Sequence, residues 1–373
     1  MGKRCLLPYT GTLAKRESKM SQMPIPRILL VGAGAIGRLH ADEIRKCKFC
    51  TLSGIIDPTL QGREWAETLN IPWFATLEDA LIYGQPDAAI VATPNHTHRD
   101  LALKLIDTGV VTLVEKPIAS SLKDAEDIVR ASEESGVSVL VGHHRRHNPI
   151  IRAAKNVIEE DTLGRLTSVT IMALFNKPDE YFSIPWRREV GGGPILINLI
   201  HEIDLVRYLY GEIRTVQAIA SNARRGFEVE DTASVLMRLE NNVLVTVSLS
   251  DCVSAPWSWD LQSGEISSYP TPPASVTTTM VAGSNGSLSL PSLDIWSYQG
   301  KRDWYEPLTR SSTGYFKESP YIAQLRNLCD VAQGRALPVV PAKEGFLTLR
   351  ATLAVAESAK RNTIIDLSNT TYD

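Results

Sequence analysis

Three groups of residues in this 373-residue chain have the types and spacing that chemistry uses. The first is Gly32-Ala33-Gly34-Ala35-Ile36-Gly37, which follows the apolar run Ile28-Leu29-Leu30-Val31 and precedes a helical stretch from Arg38 to Lys46. In a strand–turn–helix context, the first glycine of such a run allows a tight turn. The second lets backbone approach a pyrophosphate, and the third lets helix pack close to strand. The helix N-terminus adds free N–H groups and the positive end of its dipole, so Ala35 and Ile36 join Gly32, Gly34 and Gly37 as candidate phosphate-binding positions. Glycine-rich turns also serve plain packing, and it is the context that points this one to a dinucleotide. Asp57 closes the next apolar run, Leu52 to Ile56, 20 residues past Gly37 (57 − 37). An acidic residue there accepts hydrogen bonds from the adenosine ribose and repels a 2′-phosphate, which favours NAD. Arg63 nearby keeps NADP admissible, and an aspartate before Pro58 also fits a strand-end turn.

The second group is Glu115-Lys116-Pro117, at the end of the apolar run Val110 to Val114. An amine at a buried strand end is partly desolvated, which lowers its pKa toward an acid–base range. Lys116 is the candidate to hydrogen-bond a reacting oxygen and relay its proton; the alternative is a surface lysine opening a loop. A cis Lys116–Pro117 bond is one way to fix its direction. The third group is His201, on a helical stripe with Ile197, Leu205 and Leu209, with Asp204 three residues on. It reads either as a core histidine or as a general base or orienting acid opposite Lys116. Arg146 and Asn148, in the polar run 143–149, are candidates for substrate oxygens, or else hinge residues. Trp186 and Arg187 are candidates to wall the site and contact the cofactor. Gly191-Gly192-Gly193 suggests backbone packed closely against nicotinamide or sugar. His143, His144 and His147 lack the partners of a metal-ligand spacing, and Cys47-x-x-Cys50 lacks a second pair, so no metal is expected.

Alternating βα elements position these groups. Strands over 87–92, 110–114 and 137–141 alternate with helices over 99–107 and 122–135, the pattern of a doubly wound parallel sheet. Ligands bind beyond the carboxyl ends of such strands, which places Asp57, the polar loop Thr93-Pro94-Asn95-His96-Thr97-His98 and Lys116 around one crevice. From about Leu166 the pattern becomes β-rich: strands are expected over 168–174, 214–221, 232–239, 243–250, 276–282 and 287–290. Helices over 319–333 and 342–360 and a short strand near Ile364 follow. Residues 254–273, rich in Pro, Ser and Trp, read as a long loop that covers the site or reaches a neighbouring subunit.

These blocks resemble the Gfo/Idh/MocA oxidoreductases, named for glucose–fructose oxidoreductase and inositol dehydrogenase. The resemblance runs in family order over about residues 25–370. Its specific parts are Glu115-Lys116-Pro117 and the stretch from Gly191-Gly192-Gly193 to His201-Glu202-Ile203-Asp204. It implies an α/β protein, with an N-terminal Rossmann domain and a C-terminal α+β domain built on a large, mostly antiparallel open sheet. It implies hydride transfer between a nicotinamide and a sugar-like or cyclitol hydroxyl or carbonyl. Thr93, Pro94, Asn95 and His98 then shape the nicotinamide side, Glu115 orients the loop or the lysine, and Lys116 and His201 face substrate. There is one departure. Where the inositol dehydrogenase type has Asp or Asn four residues before the histidine, this chain has Ile197, with Asn198 beside it, so a strict Asp–His relay is absent and Lys116 carries more of the proton transfer.

The composition fits this reading. Lys and Arg number 39 against 42 Asp and Glu, so no basic excess draws in nucleic acid or an anionic membrane. No stretch of about 18 apolar residues suggests a membrane span. Five scattered cysteines do not form a disulfide framework, which favours a reducing, cytoplasmic location. The expected organisation is a disordered tail over 1–24, an NAD-binding domain over 25–148, and a substrate-binding and oligomerisation domain over 149–373. An open sheet face predicts a homodimer or homotetramer. Alternatives are a biosynthetic ketone or imine reductase, an NAD-recycling glycosidase, and a non-catalytic NAD-binding regulator.

Overall fold

A computed structural model of the chain describes residues 24–266, 269–270 and 274–368. The expected tail lies outside these residues except for Pro24, as does part of the 254–273 loop. The N-terminal sheet contains β1 (Arg27–Val31), β2 (Thr51–Ile56), β3 (Trp73–Phe74), β4 (Ala88–Val91), β5 (Val111–Val114) and β6 (Val139–Val141). All pair in parallel in the order β3-β2-β1-β4-β5-β6, the dinucleotide-binding arrangement. The inner strands read as continuous apolar runs because helices cover both faces; every residue of β4 is buried. The crossover helices are α1 (Ala35–Lys46), α2 (Leu60–Thr68), α3 (Leu77–Tyr83), α4 (His98–Asp107) and α5 (Leu122–Ser135). Thr59, Thr76 and Ser121 cap three of them with side-chain oxygens, and Gly136, at φ +71°, ends α5.

Helix α6 (Pro149–Glu159) leads into the second domain. Its nine-stranded sheet uses β7 (Leu166–Leu174), β8 (Ile213–Ser221), β9 (Thr232–Leu239), β10 (Leu244–Ser250), β11 (Thr279–Gly283), β12 (Gly286–Leu290), β13 (Asp294–Tyr298), β14 (Leu308–Ser312) and β15 (Ile365–Asp366). The order is β14-β13-β12-β11-β7-β10-β9-β8-β15, antiparallel except where β7 meets β10. Alternate residues of β9 and β10 are buried against α6, α7 (Ile200–Tyr210) and later helices. The opposite face leaves Ile219, Leu236, Leu244 and Met280 exposed. The strands β13 and β14 are absent from the sequence expectation because they lack a buried face; every residue of β14 is exposed. The 276–282 strand begins only at Thr279.

The closing helices depart from the expected division at residue 149. Helix α9 (Pro320–Ala332) places Leu325, Leu328 and Cys329 in the core of the N-terminal sheet, beside Ile28, Ile44 and Ile90. Helix α10 (Ala342–Arg361) bridges both cores: Phe346 and Leu349 pack with Val114 and Val141, and Val355 packs with the second sheet. The second domain therefore straps back across the first.

Candidate active site

The glycine-rich turn has three distinct geometries. Gly32 sits at φ +105°, where a Cβ would strike the Ala92 carbonyl. A Cβ on Gly37 would run into the Gly32 carbonyl oxygen, so this glycine sets the helix–strand approach. Gly34 has no atom within 4 Å of the position a Cβ would take. The space before it is open, at the N-terminus of α1, and fits an approaching pyrophosphate. Asp57 points at this turn: its carboxylate accepts the Ala33 N–H at 2.8 Å and the Thr59 N–H at 2.9 Å.

The loop after β4 is a 3₁₀ turn over Asn95–Thr97, with the Thr93 and Thr97 hydroxyls 2.6 Å apart. His98 does not face open space, contrary to its expected place on the cofactor. It is fully buried, with Nε2 2.9 Å from the Thr93 carbonyl and Nδ1 2.9 Å from the Pro117 carbonyl. It ties the 93–98 loop to the turn that carries Lys116.

Lys116 lies two residues past β5, beside a cis bond to Pro117, and is half-buried. Its Nζ donates to the Ile197 carbonyl at 3.0 Å. Burial pushes the amine down to about 8; Glu115 opposes that fall and Arg145 adds to it. Glu115 accepts the Lys116 N–H at 3.1 Å and lies 2.7 Å from His40 Nε2. Burial alone would raise its carboxyl, but the hydrogen bond and charge of His40, with the charges of His144 and Lys116, together outweigh it and hold Glu115 at about 2. Gly142 leaves room for that carboxylate.

Opposite Lys116, residues Ile195–Leu199 form a π-helical turn that runs directly into α7. It is the Ile197 main chain, not its side chain, that meets the lysine. Two polar atoms here are buried without a hydrogen-bond partner among the described residues: Asn198 Oδ1 and His201 Nδ1. Such atoms are costly unless a ligand or water satisfies them. Burial, then the charges of Lys116 and Arg145, hold His201 well below the usual histidine range. It is therefore neutral near pH 7, and Lys116 is the better placed of the two to titrate in the working range.

The other expected substrate residues are engaged elsewhere. Arg146 is buried and grips Asp204 through both carboxylate oxygens at 2.9 and 2.7 Å, with Glu344 at 3.0 Å. Asn148 caps α6, its Oδ1 accepting the Ile150 N–H at 2.9 Å. Both are committed to the domain junction by these bonds. Arg187 donates to the Tyr181 carbonyl at 2.8 Å and stacks on the Tyr181 ring, while Trp186 is exposed. The glycine run packs on protein: Gly192 against the Trp186–Arg187 backbone and Gly193 against the Glu230 carboxylate. Glu230 in turn accepts the Ile195 N–H at 2.7 Å, at the start of the π turn.

Several residues of the site escaped the sequence reading. The 254–266 segment contains a one-turn helix, α8 (Trp259–Gln262), that folds onto the basic run. Arg145 bonds Glu202 at 2.6 Å and Asp260 at 2.7 Å. Glu265 lies 3.1 Å from His144 Nε2, and Tyr321 of α9 stacks on the His144 ring, centroids 4.4 Å apart. The signal was the excess of charge in the 143–148 run, which demanded buried acids somewhere. Nothing in the spacing of Asp260 and Glu265 identified them as those acids. Among the described residues no group of three or more His, Cys, Asp or Glu is arranged to hold a metal.

Two family models match in tandem: an oxidoreductase family with an NAD-binding Rossmann fold over residues 26–143, and the GFO/IDH/MocA C-terminal domain over 151–289. The chain belongs to the Gfo/Idh/MocA oxidoreductase family. The 4-carboxy-2-hydroxymuconate-6-semialdehyde dehydrogenase of a Sphingobium species is 28% identical over 226 residues, 60% of this chain and 71% of that protein. The 1,5-anhydro-D-fructose reductase of Ensifer adhaerens is 32% identical over 221 residues, 58% of this chain and 66% of that protein. The fold matches the WlbA dehydrogenase of Bordetella pertussis, solved with NADH and UDP-GlcNAcA, at TM-score 0.74 and 23% identity over 92% of this chain and 99% of that one. This Gfo/Idh/MocA chain is thus an NAD-binding oxidoreductase, and no helix among its described residues is long and apolar enough to cross a membrane.

Proposed function

We propose that the protein transfers hydride between NAD and a secondary hydroxyl, or the matching carbonyl, of a sugar, cyclitol or similar polyol, with Lys116 as the proton relay. The observation that carries this is the Lys116 amine, set at about 8 and held at the π turn beside His201 and Asn198. Gly32, Gly34, Gly37 and the α1 N-terminus hold the pyrophosphate, and Asp57 takes the adenosine ribose. When bound, the nicotinamide supplies the hydride chemistry. In the oxidising direction the neutral Lys116 amine accepts the hydroxyl proton; in the reducing direction its ammonium returns one to the carbonyl oxygen. His201, neutral, and Asn198 hold neighbouring substrate oxygens in place. Asp57 at the ribose position supports NAD over NADP.

The test is reduced-nicotinamide absorbance from protein near stoichiometric with NAD or NADP, challenged with aldoses, polyols, cyclitols and their ketones. Turnover that requires Lys116 and prefers NAD supports the reading. NADH binding without turnover on any of these compounds overturns the substrate class, and binding of neither cofactor overturns the whole assignment.

The exposed face of the second sheet, with Ile219, Leu236, Leu244 and Met280, supports pairing of two copies of this chain. Light scattering reads that directly. All four cysteines among the described residues are unbridged, which fits a reducing, cytoplasmic setting.

A further inference from the structure

Three carboxylates gather around Arg145, and their exposures separate their tasks. Glu265 is sealed, at 1% side-chain exposure, between His144 and the Trp259 indole N–H. Glu202, at 7%, is bound to Arg145 inside the domain junction. Asp260 differs, with 23% of its side chain exposed. Its Oδ1 meets Arg145 at 2.7 Å, and among the described residues its Oδ2 has no hydrogen-bond donor. The helical turn that presents it is firmly seated: Trp259 is buried, with the Arg145 guanidinium 5.8 Å from its ring centroid, and Ser258 caps the turn.

We propose that Asp260 is a substrate-binding residue whose Oδ2 accepts a hydroxyl of the polyol that reacts at Lys116. This rests on the function proposed above and adds a specificity to it. A charged acceptor pinned by an arginine is already oriented for a hydroxyl donor, and such hydrogen bonds are stronger than neutral ones. The same charge repels an anionic group, so the end of the substrate it faces is a neutral hydroxyl rather than a carboxylate or phosphate.

Asp260 also lies beside the reacting site: Arg145 joins it to Glu202, next to His201 in the first turn of α7, and the ring of His144, the residue before Arg145, is 5.3 Å from that of His201. The Asp260 carboxylate favours the protonated form of Lys116, as does Glu115, whereas burial, Arg145 and Lys177 favour the neutral form. His201, from α7, stays uncharged and does not compete. The groups that act electrostatically with Lys116 thus come from its own strand end (Glu115), the turn after β6 (His143 and Arg145), the segment after β7 (Lys177), α7 (His201) and the insert (Asp260). Removing Asp260 takes away one of the two charges that hold the proton on the amine.

The experiment has two arms, run on Asp260→Asn and Asp260→Ala, with Glu265→Gln as a control for the seating of the insert and NADH fluorescence as a control for folding. In the first arm, labelling of Lys116 by trinitrobenzenesulfonate is followed by peptide mass spectrometry across pH, without substrate. Both Asp260 variants should shift the labelling midpoint below the wild-type value; an unmoved midpoint means Asp260 is not beside the amine and overturns the proposal. In the second, KM for the neutral polyol turned over by the wild type should rise ~10–100-fold, with NADH affinity unchanged. The matching sugar acid should gain relative to the polyol. A wild-type KM and selectivity in Asp260→Asn overturn the proposal. Absence of wild-type turnover sinks the dehydrogenase reading instead, and the labelling arm still decides on Asp260.

Discussion

The Lys116 amine, carried by the N-terminal sheet, donates to the Ile197 carbonyl of the second domain at 3.0 Å. The contact crosses the domain boundary at the one π-helical turn among the described residues. Widened turns of this kind break the i→i+4 pattern and are frequent at functional sites. The same turn carries Asn198 next to Ile197 and runs into α7, whose His201 feels the charge of the amine. The absence of an Asp–His relay in the sequence thus has a structural counterpart: a main-chain carbonyl occupies the place beside the lysine.

Lys116→Met should abolish the relay without emptying the cofactor site. A positioned acid–base group contributes ~10²–10⁴-fold, so kcat should fall by that order while NADH fluorescence titration stays at the wild-type Kd. The pH dependence has a defined sign. In the oxidising direction the neutral amine is the active form, so the rate rises as pH passes upward through about 8. In the reducing direction the ammonium is active, and the rate falls through the same region. A pH profile flat between 7 and 9 in both directions would remove Lys116 from the reaction.

Arg146→Leu should act on stability rather than on substrate. Removing the guanidinium leaves Asp204 buried with its main partner gone, a loss of about 3–5 kcal/mol. The expected result is a large drop in Tm with KM little changed in the protein that remains folded. Calorimetry and steady-state kinetics on one preparation check it; a KM effect at unchanged Tm would return Arg146 to the substrate.

How much of this was legible in the sequence depends on which force sets each position. The glycine turn, Asp57 and Lys116 are read from spacing because local backbone geometry dictates them, and Gly32, Gly34 and Gly37 each show a different geometric need. The β-rich half was legible where a strand has a buried face, as in β9, and illegible where it has none, as in β14. Arg146 and Asn148 have polar side chains of the right type for substrate. Their partners, Asp204 and the Ile150 N–H, are supplied by tertiary packing and capping. The insert was visible only as a composition shift. The pairing of Asp260 and Glu265 with the basic run depends on a fold-back over 115 residues from Arg145 to Asp260, which no local pattern encodes.

The second and third glycines of the turn should separate folding from binding. A Cβ at Gly34 enters open space, so Gly34→Val should leave Tm within a few degrees of wild type. The side chain would stand where a pyrophosphate must approach, and NADH affinity should fall ~10-fold or more. Gly37→Ala drives a Cβ into the Gly32 carbonyl and should lower Tm itself. Thermal unfolding with and without NADH distinguishes them. Equal Tm losses in the two variants would mean that the turn is only a packing device.

His40 and Glu115 give the fold a measurable acid sensitivity. The Glu115 carboxyl is held at about 2 against an ordinary 4.5: burial is the largest single influence and raises it, but the His40 hydrogen bond and the charges of His40, His144 and Lys116 together outweigh it. A folded-state pKa below the unfolded one contributes stability that is fully present above about 4.5 and is lost as pH falls toward 2. His40→Leu removes that partner and leaves a buried carboxylate with only the weaker charges of His144 and Lys116 to oppose its burial. The variant should be destabilised by about 2–4 kcal/mol near neutral pH. It should lose less of its stability on acidification than the wild type, because the group that titrates is already disfavoured as an anion. Because Glu115 also accepts the Lys116 N–H, the variant should loosen the turn that aims the amine and lower kcat more than NADH affinity. Urea unfolding at a series of pH values between 3 and 7 measures the first effect. Parallel curves for the two proteins across that range would show that the pair carries none of the acid dependence.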